Sequence, residues 1–473
     1  MILSKLLPPK RYPWILILCF VSFVILSWIL LFRDIRALKV FGLFYPSTSF
    51  FLQSAREFLL HKGLNTIPTV LFAVTALIGF YFYFKSLTIK ISRKNTILYA
   101  ILFQSIVFFS YPILSTDIFS YIMTSRVATV HNENTWKVSP DNFPSDPFLS
   151  LSDWKIIPGI YGYADQVFYN AASYISQNSL FLNLLLNKLL VLIFGILTLG
   201  VFYKILTQFY NDEDLYGIRL IFWNPLFLLE IIGTGHNDIL MIFFMAFAYY
   251  LFLQKRFLLF GIAIALSVQT KIIPIFLLIF ITGKLLKEKK IKDIVFFSVP
   301  FLIVNALCFY LMQLTPLQYF QRLQYNTGIN WQSLQALIAR FGIEAHFVFT
   351  FLFALCIVVV FIFQLIKKND PAMSFVILML IYLLFIASAY WNWYVLWVLI
   401  FLPFIKNKRL IQLGLIFSLT SLLAYPLYWL SLRFDHQHLA WAIITFLFIF
   451  VIPVASFYLR KPAIDILLKQ NNK

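Results

Sequence analysis

The stretch Pro13-Trp-Ile-Leu-Ile-Leu-Cys-Phe-Val-Ser-Phe-Val-Ile-Leu-Ser-Trp-Ile-Leu-Leu-Phe32 contains no charged residue. A helix of about 20 apolar residues is long enough to cross the hydrocarbon core of a bilayer. Lys5, Lys10 and Arg11 precede it, as basic residues precede a signal segment, but its apolar part is too long for the cleaved kind. We therefore interpret the stretch as a retained first membrane span.

The composition extends this interpretation to the whole chain. Hydrophobic residues make up 61% of the 473 residues and charged residues 12%, and the mean hydropathy is +0.85. Because soluble domains carry about a quarter charged residues, most of this chain must lie in lipid. We predict an all-α polytopic membrane protein of about 12–14 transmembrane helices. The predicted spans are 13–32, 66–86, 95–113, 183–206, 215–233, 238–254, 257–270, 272–284, 294–313, 346–366, 372–390, 393–405, 409–429 and 439–458.

The basic residues are unevenly distributed along this predicted topology. With the N-terminus inside, the cytoplasmic stretches hold 25 of the 38 Lys and Arg but only 7 of the 19 Asp and Glu. This asymmetry satisfies the positive-inside rule, so the net charge of +19 indicates membrane topology and a nucleic-acid partner is not expected. The cytoplasmic stretches are 1–12, 85–94, 204–219, 255–256, 284–293, 367–370, 406–409 and 459–473.

One region decides whether this topology is consistent. If 257–284 crossed the membrane once, the basic cluster Lys284 to Lys292 would lie outside and every later span would be inverted. We therefore predict two short helices that turn at Thr270-Lys271. Spans this short must thin the bilayer locally or depend on neighbouring helices.

The breaks in the pattern suggest three parts of the chain. They are N-terminal spans at 1–94, a catalytic membrane module at 95–345 and C-terminal spans at 346–473. The module contains a long outer loop, 114–182, in which prolines alternate with tryptophans and tyrosines. Aromatic residues favour the headgroup level, so we expect short interfacial helices in this loop.

Neither a cofactor nor a metal ion is expected from the sequence. No dinucleotide fingerprint, phosphate-binding glycine loop or soluble catalytic domain is visible. Cys19, Cys308 and Cys356 lie in apolar runs without CxxC spacing and are interpreted as free thiols. Asp435-His436-Gln437-His438 has some metal-ligand character, but a single short cluster is weak evidence for a metal site.

Asp117 is the first candidate for a catalytic group. It stands in Ser115-Thr116-Asp117, where an apolar span ends and the outer loop begins. The structural alternative is a helix N-cap, in which the carboxylate accepts a backbone N–H. The functional alternative is a general base, because partial burial at headgroup depth raises the pKa of a carboxyl group toward neutrality.

The turn Gly235-His236-Asn237-Asp238 places three polar side chains at the same outer rim. It is either a tight turn with Asp238 capping the next helix or part of a sugar or acceptor site. Glu230 lies deeper in its span, where an ionisable group is costly and is functional by default.

Lys271, at the tip of the predicted hairpin, lies outside against the positive-inside preference. It is either a snorkelling lysine or a cation that stabilises a phosphate leaving group. Arg126 is a second candidate for that phosphate. The segment Tyr390-Trp-Asn-Trp-Tyr394 is either an aromatic belt or a wall on which a sugar ring stacks.

These residues, in this order, resemble the GT-C class of membrane glycosyltransferases, and most closely the polyprenyl-phosphate-mannose-dependent mannosyltransferases. The resemblance covers most of the chain after about residue 95. It is carried by four motifs: Ser115-Thr-Asp117-Ile-Phe-Ser-Tyr121, Pro158-Gly-Ile-Tyr161-Gly-Tyr163, Asn224-Pro225 with Gly235-His-Asn-Asp238, and Thr270-Lys271 with Pro274. The chain departs from the family pattern at Asp146-Pro147-Phe148, where an Asn-Pro-Tyr-like segment is common.

The resemblance implies a function and a set of roles. A hexose, mannose in the first place, would move from a polyprenyl-phosphate donor to a glycan or lipid-linked acceptor on the non-cytoplasmic face of the plasma membrane. Asp117 would be the base and Lys271 the contact to the lipid phosphate. His236, Asn237 and Asp238, with Tyr121 and Tyr161, would frame the sugar and the acceptor.

Two other functions stay open at this point. A secondary transporter would carry ionisable residues near mid-membrane and broken helices in matching halves, whereas most acids here lie at one rim and Gly is scarce. Another outer-face enzyme, a polymerase or ligase acting on lipid-linked glycans, needs the same acid and the same phosphate-binding cations.

Overall fold

The computed structural model describes residues 8–31, 66–325, 332–367, 370–431 and 439–458. These ranges are mainly helical and contain no β-strand, which confirms the predicted all-α class. The helices are α1 Tyr12–Leu30, α2 Thr66–Ser86, α3 Arg93–Val107, α4 Asp117–Thr129, α5 Tyr163–Ser176, α6 Leu180–Phe209, α7 Tyr216–Phe222, α8 Pro225–Gly233, α9 Asp238–Leu253, α10 Phe257–Val268, α11 Pro274–Lys287, α12 Ile291–Met312, α13 Pro316–Tyr325, α14 Leu334–Ala339, α15 His346–Lys367, α16 Pro371–Ile386, α17 Asn392–Phe404, α18 Lys408–Ser431 and α19 Leu439–Phe457.

Seven of the described helices are long and apolar enough to cross a membrane, which makes this a polytopic membrane protein. They are α1, α2, α6, α12, α15, α18 and α19. The pair α7 and α8, bent by 47°, could form an eighth span. The helices α9, α10, α16 and α17 are apolar but have only 10–17 residues, so their crossing of the bilayer stays a prediction.

The bend between α7 and α8 follows from the sequence Asn224-Pro225. Proline has no backbone N–H to continue a helix, but it fits the first position of a new one. Asn224 caps that new helix, since its side chain accepts hydrogen bonds from the backbone N–H groups of Leu226 and Phe227. The break therefore ends one helix and starts the next within two residues.

Side-chain contacts determine the direction of the short helices around the predicted hairpin. Ser267 donates to the carbonyl of Met241 at 2.8 Å, so the end of α10 lies beside the start of α9 and the two helices are antiparallel. Gln269 donates to Asn305 at 2.8 Å, while Gly261 packs against the Phe297 carbonyl. Helices α10 and α12 are therefore parallel.

Helix α11 connects these two parallel helices, so it must run back in the opposite direction. The chain accordingly turns between Val268 and Pro274, which confirms the hairpin predicted at Thr270-Lys271.

The helix ends that carry the basic residues gather at one end of the bundle. Arg93 donates to the Glu213 carbonyl at 2.7 Å, and Tyr249 donates to Asp370 at 3.0 Å. Lys284 lies against the end of α9. The first seven residues and 459–473, which were predicted on the same side, lie outside the described ranges.

The outer loop 114–182 contains two helices, α4 and α5, as the sequence predicts for this loop. They pack on each other through hydrogen bonds such as the one between the Thr129 and Ser173 hydroxyl groups, whose oxygens lie 2.8 Å apart. Trp136, in the segment between them, donates to the Tyr161 carbonyl at 2.8 Å and stacks on Tyr163 with ring centroids 5.7 Å apart. The loop is thus a folded layer at the end of the bundle opposite the basic residues.

Candidate active site

A cavity of about 300 Å³ lies between this folded layer and the helix bundle. Its walls are the first turns of α4 and α5, the segment 157–161, the residues 271–273 that precede α11, and the aromatic segment at the start of α17. The lining residues that matter for chemistry are Asp117, Tyr121, Tyr161, Asp165, Lys271 and Trp391. The acid that precedes the outer loop and the lysine of the hairpin therefore share one cavity.

Asp117 is the first residue of α4, and Thr116 is its N-cap. The N-cap interpretation of Asp117 is therefore wrong by one position. Its carboxylate instead accepts a hydrogen bond from the Trp154 indole N–H at 3.1 Å. Burial raises the pKa of this carboxyl group to about 6, while the Trp154 hydrogen bond and the charge of Lys271 oppose that shift.

Lys271, in the turn of the hairpin, forms an ion pair with Asp238. Lys271 Nζ lies 2.5 Å from Asp238 Oδ2, and the Trp397 indole donates to Asp238 Oδ1 at 2.9 Å. The ammonium group also lies 5.1 Å from the centre of the Tyr161 ring, a cation–π distance. Since an ammonium group has three donors, Lys271 retains hydrogens to direct into the cavity.

Gly235 allows the polar turn to approach α4. Its φ is +80°, a left-handed conformation that glycine adopts without steric cost. A Cβ at this position would also lie 2.5 Å from the Ile118 side chain. The glycine therefore brings the turn against the first turn of α4, next to Asp117.

The turn residues His236 and Asn237 hydrogen-bond to α4 and α5. The Tyr121 hydroxyl lies 3.2 Å from His236 Nδ1 and 3.1 Å from Asn237 Oδ1. Asn237 Nδ2 donates to Asp165 at 3.1 Å. Tyr161 completes the group, since its ring centre lies 5.7 Å from that of Tyr121. Seven of the eight residues predicted for the site therefore lie in one cluster.

Asp165 is a site residue that sequence reasoning missed. It is buried in the first turn of α5 and lines the cavity. Burial raises the pKa of its carboxyl group to about 8, against the opposing effects of Asn237 and Lys271. An acid in the first turn of a helix is common because it interacts favourably with the helix dipole, so nothing in the sequence indicated that Asp165 belongs to a site.

Arg126 does not belong to this cluster, which corrects the prediction that it contacts the donor phosphate. It is buried and is absent from the cavity wall. Its Nε pairs with Asp146 at 2.9 Å, and its two terminal nitrogens donate to the Gln177 carbonyl and to Asn178. With all three nitrogens engaged, Arg126 ties the outer layer together. Asp146, where the chain departs from the family pattern, is the acid it holds.

Aromatic side chains form the remaining wall. Trp391 and Trp393 stack on each other with centroids 5.0 Å apart, and Trp393 lies 4.2 Å from the His236 ring. Tyr390 is buried behind them and bonds to Ser421. The segment therefore packs in the protein and faces the cavity, an arrangement that suits sugar stacking.

Metal-ligand clusters are absent from the described residues. Asp435-His436-Gln437-His438, which had some metal-ligand character, lies outside those residues. Cys19, Cys308 and Cys356 are free thiols, as predicted. The cavity itself is lined by Asp117, Lys271 and other polar side chains such as Asp165.

The fold is that of an integral membrane protein, and its cavity brings carboxylates and a lysine together. Residues 42–287 match the family described as alpha-(1->6)-mannopyranosyltransferase, N-terminal domain. The chain belongs to this family of glycosyltransferases. No curated protein and no solved structure matches the chain.

The family match confirms the mannosyltransferase resemblance drawn from the sequence. It includes the cavity residues from Asp117 to Lys271. It also includes α2, which lies before the point at which the resemblance began.

Proposed function

We propose that this protein transfers a mannosyl group from a polyprenyl-phosphate-linked donor to a glycan or lipid-linked acceptor, on the non-cytoplasmic face of the membrane. The observation that carries the proposal is the shared cavity of Asp117 and Lys271. One side chain accepts a proton, and the other carries a positive charge that a leaving phosphate needs. Family membership supports the mannosyl group, and the donor and the face are inferred as follows.

The geometry supports a single displacement at the anomeric carbon. The acceptor hydroxyl oxygen attacks that carbon while the bond from the carbon to the phosphate oxygen breaks. Asp117 takes the hydroxyl proton, and polyprenyl phosphate leaves with the bonding electron pair. One displacement of this kind inverts the anomeric centre.

The raised pKa of Asp117 suits the role of base. A carboxylate with a pKa of about 6 is ionised at neutral pH and is a stronger base than a solvent-exposed aspartate. Trp154, which donates to one carboxylate oxygen at 3.1 Å, keeps the group oriented. Asp117 lies at the N-terminus of α4, so the helix dipole also favours its ionised form.

Lys271 is the proposed contact to the donor phosphate. Its pairing with Asp238 holds the ammonium group in place at 2.5 Å without using all of its hydrogens. A fixed cation at the site of developing negative charge lowers the barrier because it needs no rearrangement during the reaction. Arg126 has no part in this step.

The position of the cavity supports a lipid-borne donor on the outer face. It lies at the end of the bundle opposite the basic helix ends, which the positive-inside rule places in the cytoplasm. A donor anchored in the outer leaflet presents its phosphate at headgroup depth, where the hairpin tip with Lys271 would lie.

The test is release of polyprenyl phosphate by purified protein supplied with polyprenyl-phosphomannose and candidate acceptors. Wild-type protein is expected to turn over, and Asp117→Asn is expected to lose on the order of 10²-fold or more in kcat while remaining folded. Full activity of Asp117→Asn would remove Asp117 from the mechanism. A screen of other polyprenyl-phosphate sugars and of oligosaccharide donors separates mannosyl transfer from glycan polymerisation or ligation.

A further inference from the structure

Two buried polar atoms that have no hydrogen-bond partner among the described residues face each other beneath the cavity. They are His236 Nε2 and Glu230 Oε2, which lie 3.8 Å apart. Both side chains are almost completely buried, at 1% and 0% exposure. Buried polar groups are nearly always paired, so the hydrogen positions around this contact require an explanation.

The donors and acceptors can be assigned from the cavity inward. Asn237 Nδ2 donates to Asp165 Oδ1 at 3.1 Å, so the amide oxygen of Asn237 faces the other way. That oxygen accepts the hydroxyl hydrogen of Tyr121 at 3.1 Å. A phenol has a single hydrogen, so Tyr121 has none left for its second neighbour, His236 Nδ1, at 3.2 Å. His236 must therefore donate from Nδ1.

A second neighbour gives the same assignment independently. Asp238 Oδ2 lies 3.9 Å from His236 Nδ1, and Asp238 accepts hydrogen bonds from Lys271 and Trp397. A carboxylate that receives two donors is ionised. An Nδ1 lone pair would repel it, whereas an Nδ1–H group is attracted to it.

Burial lowers the pKa of the His236 imidazole to about 3, so the ring is neutral, and with its hydrogen on Nδ1 it has an acceptor lone pair on Nε2. Glu230 Oε2 faces that lone pair at 3.8 Å, and the other oxygen, Oε1, accepts a hydrogen bond from the Tyr425 hydroxyl. Two lone pairs would repel each other across this contact, so Oε2 carries a hydrogen. A neutral acid is also the form that costs least inside a membrane span.

We propose that Glu230 is a positioning residue whose proton, held on Oε2 and facing the His236 Nε2 lone pair, sets the direction of the hydrogen bonds that run from His236 through Tyr121 and Asn237 to Asp165 in the cavity. No proton moves along these hydrogen bonds. An ionised Glu230 would instead require a hydrogen on His236 Nε2. Donor and acceptor would then be exchanged in the hydrogen bond between His236 and Tyr121 and in the one between Tyr121 and Asn237. The Asn237 amide would then present its oxygen to Asp165 instead of its N–H group.

The consequence for the site is the orientation of two groups that line the cavity. Tyr121 and Asp165 line the cavity in which we place the sugar, and the donor and acceptor directions at the Tyr121 hydroxyl and the Asp165 carboxyl group follow from Glu230. The effect on transfer rests on the proposed function, whereas the hydrogen on His236 Nδ1 does not.

The experiment compares Glu230→Gln with Glu230→Leu in the full-length protein in detergent or nanodiscs. Glutamine retains a donor toward His236 and an acceptor for Tyr425, whereas leucine has similar size but neither group. Nitrogen-15 histidine NMR locates the N–H hydrogen, and the His236→Gln spectrum identifies the resonance. Transfer from polyprenyl-phosphomannose is measured in parallel.

We expect an Nδ1–H signal for His236 in the wild type and in Glu230→Gln, with activity within a few-fold of each other. Glu230→Leu is expected to lose about tenfold to 100-fold in activity, since Nε2 is left unsatisfied, and to show a mixture of tautomers. An Nε2–H signal in the wild type would overturn the proposal, as would equal activity losses in both variants. If Glu230→Leu does not fold, the His236 tautomer in the wild type and in Glu230→Gln still tests the proposal. If the protein does not use polyprenyl-phosphomannose, the NMR result stands alone.

Discussion

At Asp117, position changes the properties of an ordinary side chain in a way that suits the proposed role of base. The same carboxyl group is placed at a helix N-terminus, partly buried and held by Trp154. Burial and the nearby acids Asp153 and Asp238 raise its pKa, and the Trp154 hydrogen bond and Lys271 lower it. The balance leaves the carboxylate ionised but basic near neutral pH.

This balance predicts a pH dependence. Because the proposed mechanism requires the ionised form of Asp117, kcat/KM is expected to be constant above a pKa of about 6 and to fall about tenfold for each pH unit below it. Trp154→Phe removes a hydrogen bond that lowers the pKa, so its profile should shift to higher pH. The measurement is the pH–rate profile of both proteins. A Trp154→Phe profile that shifts to lower pH, or a wild-type profile flat to pH 5, would contradict the role of Asp117.

At the level of residues, sequence reasoning found the polar side chains that lie at helix ends. Asp117, Lys271 and the turn at Gly235 interrupt apolar runs, and such interruptions are visible without a structure. The partners of Arg126 were not predictable, because Asp146 and Asn178 reach it only through the folding of the outer loop. Asp165 was missed because an acid in the first turn of a helix is common, and only the folded structure places it in the cavity wall.

At the level of elements, the outer loop and the hairpin approach each other closely at Gly162. A Cβ on Gly162 would lie 2.2 Å from the Gln269 carbonyl oxygen, a backbone atom that cannot rotate away. Gly162 directly follows Tyr161, whose ring lies beside Lys271. A glycine here is what lets the cavity wall reach the lysine.

Gly162→Ala should therefore separate the outer layer from the hairpin tip. We expect a loss of activity on the order of 10²-fold, since displacements of about 1 Å at a site have effects of that size. Gly200→Ala is the matched control, because no atom lies within 4 Å of a Cβ at that position. The assay is donor turnover with thermal unfolding measured in parallel. Wild-type activity in Gly162→Ala would show that this contact does not shape the cavity.

The sequence predicted most elements because helices and apolar runs coincide in a membrane. The hairpin was predicted from charge alone, and the parallel arrangement of α10 and α12 agrees with it. The bend between α7 and α8 was not foreseen as a bend, although Asn224-Pro225 carries the signal for it. The packing of α4 and α5 into a layer depends on contacts such as that of Thr129 with Ser173, which no local pattern reveals.

At the level of the whole molecule, the basic residues and the candidate site lie at opposite ends of the bundle. The helix ends that carry basic residues such as Arg93 and Lys284 gather near Asp370 at one end of the bundle, and the cavity lies at the other end of the bundle. A membrane protein inserted with its basic end in the cytoplasm would present this cavity outside. The uneven distribution of basic residues along the sequence therefore corresponds to two chemically different ends of the fold.

Cysteine labelling checks the orientation of the protein in the membrane. Ser150 and Lys289 are both exposed and lie in the outer layer and among the basic helix ends, respectively. In a background without Cys19, Cys308 and Cys356, a membrane-impermeant maleimide should label Ser150→Cys in intact cells. Lys289→Cys should react only after permeabilisation. The reverse pattern would place the cavity in the cytoplasm and remove the case for an outer-leaflet donor.

In the proposed mechanism, Asp117 and Lys271 act on one donor molecule in one cavity. A cryo-electron microscopy structure of Asp117→Asn with bound polyprenyl-phosphomannose would show the donor in place. We expect the phosphate within hydrogen-bonding distance of Lys271 Nζ and the anomeric carbon on the side that faces residue 117. A headgroup bound away from Lys271, or at the basic end of the bundle, would contradict it.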